Sequence, residues 1–542
     1  MKQSAIEKLG LMIDCSRNSV MSVHALKKLI PILSKMGYTT LQLYTEDTYE
    51  VNNEPYFGYM RGRYSKQEIK EIDAYAASYN IELIPCIQTL AHLRALFRWP
   101  EYQKINDTED ILLVGEERVY TLLENIFDTL KECFSSRRVN IGMDEAHALG
   151  QGKYAEKYGH VERSEIMLKH LERVNQIANS RGFTCSMWSD MFFYMVFGEK
   201  NYTQEEVKIP EDLLERIPKN INLIYWDYYN TEKEVYDNNI RSHLRISNNI
   251  IFAGGAWTWV GFTPLNHYAI EANRAALKSC IENGIKEAFV TAWGNSGGYC
   301  SPFSVLPALM QFAENSKGNF DQDSIKKKFK EIVGVDYDAY IALDLPNILS
   351  FDQDLKKRYN PSKYLLYNDV LVGVYDSTIK IGGGEIYSQH SNKLKELESD
   401  REYGYIFKTA RKLCDCLYLK ADLGRRTRVA YQQKDIFGLK ELIEKCYTPL
   451  IGELKKLYQL FTAYWEKLYK PYSFETINIR FGGLIYRIQY VKKRLTAYIN
   501  GKIKSVPELE EILLDKNGGG TVYENKPILD SSWGAIVTLN IL

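Results

Sequence analysis

Eight short apolar runs, separated by stretches of helical periodicity, constrain this chain more than any other feature of it. The runs are Leu9–Cys15, Thr39–Thr45, Ile81–Gln88, Arg138–Met143, Phe183–Trp188, Ile221–Trp226, Asn249–Ala256 and Glu287–Trp293. Several are apolar on both faces, the pattern of parallel strands covered by helices. Between them, Ser65-Lys66-Gln67-Glu68 has capping-box spacing, and Ile69, Ile72, Tyr75, Ala76 and Tyr79 follow on one helical face. Ser164–Arg181 turns Met167, Leu171, Val174 and Ala178 inward and is stopped by Gly182; Ala269–Asn283 is stopped by Gly284. A helix over Val20–Met36 is expected to kink at Pro31. Eight strands, each leading to a helix, predict an α/β fold of the (β/α)8 TIM-barrel type. The rival is an open doubly wound sheet, which would place a glycine-rich loop after its first strand. Asp14-Cys15-Ser16-Arg17-Asn18-Ser19 has no glycine there, and Gly150-Gln151-Gly152 reads as a turn.

Near residue 315 the pattern changes. Helix-like stretches at Ser324–Val333, Ser391–Leu419, Ala430–Cys446, Leu450–Leu468 and Leu484–Ile499 predict a second, mainly α-helical C-terminal domain over 316–542, after a barrel domain over 1–315. Its tail reads as irregular or β-like. A length of 542 residues suits two domains rather than one core. Lys+Arg 69 against Asp+Glu 69 removes the electrostatic case for a nucleic-acid binder. The first eight residues lack the apolar stretch of a secretory signal, and the run near 250–262 is too short to span a bilayer and is broken by Gly254 and Gly255. No membrane or nucleic-acid partner is therefore expected. The nine cysteines are scattered, and Cys414 and Cys416 lack C-x-x-C spacing, which points to free thiols and a reducing cytoplasm.

In such a barrel, active sites lie where the strands end. Read in order, those positions carry Asp14 and Arg17; Glu46 and Asp47; Gln88 and His92; Asp144, Glu145 and His147; Trp188 and Asp190; Trp226, Asp227 and Tyr228; Trp257 and Trp259; Trp293 and Asn295. Aromatic walls with polar hooks suit a sugar-sized pocket. The histidines His92 and His147 come from different strands, with no H-x-H or H-E-x-x-H, so no metal is expected. There is no G-x-S-x-G elbow and no lysine at a strand end for a Schiff base.

The sharpest feature is Asp144-Glu145, two adjacent acids behind the apolar Val139–Met143. A regular strand would point them to opposite faces, whereas a turning backbone lets both reach the pocket. Ordinary glycosidase carboxylates stand on different strands across the scissile bond. Adjacent ones suit a scheme in which one protonates the leaving oxygen and the other orients a nucleophile carried by the substrate.

Leu11-Met12-Ile13-Asp14-Cys15-Ser16-Arg17 resembles the first-strand motif of glycoside hydrolase family 20, the β-N-acetylhexosaminidases. Ile141-Gly142-Met143-Asp144-Glu145 is similar to that family's catalytic Asp-Glu strand, and His92, Trp188, Trp226 and Trp293 fall in the family's order. The helical half resembles a bacterial subgroup with a C-terminal helical domain, as does Asn360–Asp369. The resemblance implies an exo-acting hydrolase of terminal β-linked GlcNAc, or GalNAc, working with retention through an oxazolinium intermediate and without a cofactor. It implies that Glu145 is the acid, Asp144 and Tyr228 (Tyr225 in reserve) hold the acetamido group, Arg17 grips the 3- and 4-hydroxyls, and His92, Trp188, Trp226 and Trp293 complete the site. Asn295 stands where the family commonly has a carboxylate. The alternatives are a covalent mechanism using Glu46 or Asp47 against Glu145, and a sugar-binding protein without turnover. The aromatic helices of the second half, including Tyr464, Trp465 and Tyr469, and the subgroup resemblance point to a homodimer.

Overall fold

β1 (Lys8–Asp14) hydrogen-bonds on one side to β2 (Thr40–Tyr44) and on the other to β8 (Glu287–Ala292), and that second pairing closes the sheet. The remaining strands are β3 (Glu82–Cys86), β4 (Arg138–Asn140), β5 (Thr184–Trp188), β6 (Asn222–Trp226) and β7 (Ile250–Gly255). They run in sequence order, all parallel, around a closed eight-stranded barrel. The computed structural model describes residues 6–198, 206–295, 297–350, 352–398, 402–518 and 526–540.

Alternation along each strand sends every second residue to the inside. Met12, Tyr44, Cys86, Trp188, Ile224, Ile251, Ala253 and Phe289 form one buried cluster drawn from every strand but β4, and Trp226 and Trp293 pack against it. Space is tight enough that a Cβ on Gly10 would stand 2.4 Å from Thr40 Oγ1 and 2.9 Å from Phe289 Cβ. At the strands' N-terminal ends Arg138 pairs with Glu82 (3.3 Å) and with Glu287, satisfying charges that the barrel half-buries.

The local signals act as expected. Ser65 and Glu68 close a capping box at the helix Lys66–Ser78, and the helix Arg163–Ser180 ends before Gly182 at φ +84°. The Val23–Met36 helix carries Pro31 inside it and is continuous. β4 corrects the sequence reading: it stops at Asn140 rather than Met143, because Gly142 and Met143 take positive φ and turn the backbone out of the sheet.

The chain divides into two compact units. The first comprises 1–256, 269–293 and 308–334; the second comprises 257–268, 294–307 and 335–542. The second is helical, with Ile386–Leu397, Gly404–Lys420, Thr448–Leu468 and Phe474–Ile499 as its long elements. Its core is aromatic: Phe262 lies 4.4 Å from Tyr299 and 5.8 Å from Phe461 between ring centres, and Phe461 lies 6.1 Å from Phe481. Much of the tyrosine content is spent here, with Tyr340, Tyr364, Tyr367 and Tyr375 fully buried. The stretch 430–446 is not one helix. Lys434 at φ +56° breaks it, Asp435 caps the next helix (Ile436–Leu442) through the Gly438 N–H at 2.8 Å, and a π-turn over Ile443–Tyr447 follows. The last long helix starts ten residues before its expected Leu484 start, because Ile477 and Phe481 continue its buried stripe past Gly482 and Gly483. Within 526–540 the tail holds a short helix, Trp533–Val537, and no strand.

Candidate active site

The loop after β1 is shaped by Asp14, whose Oδ1 accepts from the Ser16 N–H (2.8 Å) and hydroxyl (2.7 Å). Arg17 follows, its Nε 3.5 Å from Glu46 Oε1. Arg61 locks this loop to the one after β2, donating to the Ser16 carbonyl and, at 2.8 Å, to Asp47 Oδ1. Asp47 is thus held by a structural pair. Glu46 is buried beside Arg17; burial pushes its carboxyl up to about 7, with the Arg17 and His92 charges opposing.

Asp144 and Glu145 follow a turn, not a strand. Gly142 (φ +73°), Met143 (φ +70°) and Glu145 (φ +52°) all lie in the left-handed region. Only glycine fits at 142, where a Cβ would stand 2.2 Å from Gln88 Oε1 and 2.7 Å from the Ile87 carbonyl. Gln88 holds the turn: Oε1 accepts from the Met143 N–H (3.2 Å), while Nε2 donates to Asp144 Oδ1 (2.7 Å) and to the Tyr44 hydroxyl (2.9 Å). His92, itself at φ +59°, brings Nε2 to 3.3 Å from Asp144 Oδ2 and 3.6 Å from Glu145 Oε2.

These contacts separate the two acids electrically. Burial opposes ionisation of Asp144, yet the His92 charge and the bonds to it hold its carboxyl below the usual range. Burial also works against a charged His92, but Asp144 overrides it and pushes the imidazole up to about 10. Glu145 is the opposite case. The walls of the cleft and the Asp144 charge push it above the ordinary glutamate value, although its side chain is 47% exposed at the opening. One ionised acid beside one inclined to keep its proton is the division of labour that acid–base chemistry uses.

β5 and the residues after it supply Trp188, fully buried, and Asp190. Asp190 accepts from the Glu145 N–H at 3.0 Å and the Trp226 indole N–H at 3.3 Å. Trp226 stacks on Tyr228, ring centres 5.3 Å apart and planes 28° apart. The Tyr228 hydroxyl is bonded to the side chains of Trp293 and Thr291. Trp293 also stands edge-on to Tyr44 at 4.7 Å and 6.1 Å from Trp188. Tyr225 directs its hydroxyl to Asp227 at 3.0 Å, under the cover of His243 and Phe252.

The barrel thus brings Arg17, His92, Asp144, Glu145, Trp188, Trp226, Tyr228 and Trp293 into one connected set of contacts. Asn295, at φ +40°, belongs to the second unit, as do Trp257 and Trp259, which stack on each other at 4.5 Å. Sequence reasoning names Gln88 and Asp190 among the strand-end residues without giving them a role, and does not name Tyr44. The first two stand at strand ends, and Tyr44 has the inward parity of β2, but nothing in the sequence ranks them. Among the described residues, His92, Asp144 and Glu145 are the group whose donor atoms come close enough to share a cation.

Residues 9–236 match the model of the glycosyl hydrolase family 20 catalytic domain, and residues 338–524 match that of the glycoside hydrolase 20C C-terminal domain. The chain belongs to glycoside hydrolase family 20. Hexosaminidase D of Bos taurus is 27% identical over 228 residues, which cover 38% of this chain and 58% of the relative; that of Homo sapiens is 25% identical over 222 residues, with 38% and 42% covered. The chain thus spans about half the length of these curated relatives. Among solved structures, an exo β-N-acetylglucosaminidase of Vibrio harveyi in complex with N-acetylglucosamine is 16% identical with a TM-score of 0.47, covering 61% of this chain and 58% of its own. A Flavobacterium johnsoniae chitobiase is 16% identical with a TM-score of 0.48, covering 82% and 75%. Of the helices described, none is long and apolar enough to cross a membrane.

Proposed function

We propose that this family 20 chain is an exo-acting β-N-acetylhexosaminidase that removes a terminal β-linked GlcNAc, with GalNAc as the second candidate, by retaining, substrate-assisted catalysis. The observation that carries the reading is the Asp144-Glu145 turn, where Asp144 is kept ionised and Glu145 is biased towards its protonated form. In this scheme Glu145 protonates the glycosidic oxygen as the substrate's own acetamido oxygen attacks the anomeric carbon. Asp144 accepts the acetamido N–H and stabilises the oxazolinium that forms, and Tyr228 holds the acetamido oxygen. Water then opens the ring with Glu145 as base, so two inversions give retention. Arg17 offers a fork to the 3- and 4-hydroxyls. Trp188, Trp226 and Trp293 wall the acetamido methyl and the ring face, and His92 keeps Asp144 charged. No cofactor enters. Comparing aryl β-GlcNAc, β-GalNAc and β-glucoside tests the reading: fast turnover of an N-acetylhexosaminide and none of the glucoside is expected, and the reverse order would refute it.

The same reading divides the chain into a catalytic barrel (1–315) and a helical domain (316–542) that joins two copies. Support for the homodimer comes from the Phe474–Ile499 helix, which exposes Ile479, Tyr486 and Tyr490 along one side, with open space over Gly482 and Gly483. A cytoplasmic setting is supported by nine buried cysteines, none of them in a disulfide.

A further inference from the structure

We infer that Asp190 is a positioning residue that ties the placement of the acid Glu145 to the Trp226 wall of the sugar site. The inference rests on Glu145 being the acid. Asp190 is 5% exposed and uses both carboxylate oxygens: Oδ2 accepts the Glu145 backbone N–H at 3.0 Å, and Oδ1 accepts the Trp226 Nε1–H at 3.3 Å. A single carboxylate from the first turn of the helix Asp190–Phe197, which follows β5, therefore bridges the loop after β4 to the end of β6.

That bridge acts where the backbone needs it. Glu145 is a non-glycine residue at φ +52°, a conformation that persists only when its surroundings impose it. Gln88 fixes the turn before it through the Met143 N–H and the Asp144 side chain, and the Asp190 bond fixes the N–H of Glu145 itself. On the other side, the indole held by Asp190 is the one stacked on Tyr228. A ligand group pressing on Trp226 and Tyr228 thus acts on the same carboxylate that aims the acid. Asp190 gains no substrate contact by this account; it works through its two neighbours. Burial and the Asp144 charge push its carboxyl up to about 7, and the two N–H donors oppose that shift.

The decisive variants are Asp190→Asn and Trp226→Phe. An asparagine has one acceptor oxygen, so it can serve Glu145 or Trp226 but not both, and its amide then faces an N–H. For Asp190→Asn, kcat/KM on a β-linked GlcNAc disaccharide should fall at least about tenfold, but on a dinitrophenyl β-GlcNAc no more than about threefold, because only the first needs a well-aimed proton. Trp226→Phe should raise KM on both substrates and show a weaker form of the same leaving-group dependence. The double variant should lose less than the product of the two single losses. Equal losses on both substrates, no loss at all, or strictly multiplicative effects would overturn the inference. A crystal structure of the same Asp190→Asn variant gives an answer that does not depend on turnover. Glu145 should leave the left-handed region or the Trp226 ring should turn; unchanged positions for both would overturn the inference even if the wild type hydrolysed no hexosaminide, an outcome that would refute the functional reading separately. Should Asp190→Asn not fold, Trp226→Phe carries the test, and an unaltered leaving-group profile there refutes the coupling.

Discussion

Two neighbouring carboxylates behave as different reagents because their surroundings differ. Asp144 has a cation and an amide on its oxygens; Glu145 has a neighbouring negative charge and the cleft wall. The signs give a pH prediction. Activity needs Asp144 ionised and Glu145 protonated. The acid limb of kcat/KM should lie below the ordinary carboxylate range, since the folded Asp144 is depressed, and the alkaline limb above it, since the folded Glu145 is raised. Glu145→Gln should erase the alkaline limb and lower turnover of poor leaving groups by about two to four orders of magnitude, with a far smaller loss on activated aryl glycosides. Replacing His92 by Gln should move the acid limb upward, because Asp144 then loses its countercharge; a stationary limb would count against the pairing. Asp144 and Glu145 could be picked out from sequence because adjacent acids behind an apolar run are unusual. Gln88 and Asp190 could not, since an amide and an acid acquire meaning only through the backbone N–H groups they meet.

At the level of elements, the barrel's rhythm was readable because both sources of order are local. Residues apolar on both faces mark parallel strands, and caps such as Ser65 with Glu68 mark where helices begin. The turn after β4 was not, because its shape comes from Ile87 and Gln88, just after β3 and more than fifty residues away. That turn is also the most fragile element of the site. Gly142→Ala would place a methyl group 2.2 Å from Gln88 Oε1 at φ +73°. It should cost about 1–3 kcal/mol of stability and lower activity through the displaced Asp144. Thermal unfolding together with kcat measures both; an alanine variant with unchanged Tm and kcat would show that the turn tolerates a side chain. The helical half was read less well, since a single left-handed residue, Lys434, splits a stretch that looks continuous in sequence.

Across the whole molecule, tyrosines such as Tyr340, Tyr364, Tyr367 and Tyr375 serve as core residues of the second unit, and the segment Asn360–Asp369 explains itself structurally. Asn360 Nδ2 donates to the carbonyls of Val260 (2.7 Å) and Asp530 (2.6 Å), and Asp369 pairs with Arg487 at 2.6 Å, so the segment pins remote stretches of the helical unit together. Among the apolar residues that unit leaves exposed are Ile479, Tyr486 and Tyr490, on one side of its last long helix. Light scattering at micromolar concentration should give twice the 62.8 kDa chain mass, and Tyr486→Glu should return it to a monomer by placing a charge in an apolar interface. A wild-type monomer, or a dimer indifferent to the glutamate, would remove that face from consideration.

The claim on which the rest depends is that the substrate, not the protein, supplies the nucleophile. The most direct measurement is kcat/KM along a series of aryl β-glycosides whose N-acetyl group carries none, one, two or three fluorines. Each fluorine drains the acetamido oxygen of nucleophilicity and alters the ring little. A steep, progressive fall along the series is expected if that oxygen attacks the anomeric carbon in the transition state. A flat series would contradict it and assign the attack to a carboxylate of the protein, with Glu46 beside Arg17 as the first to test.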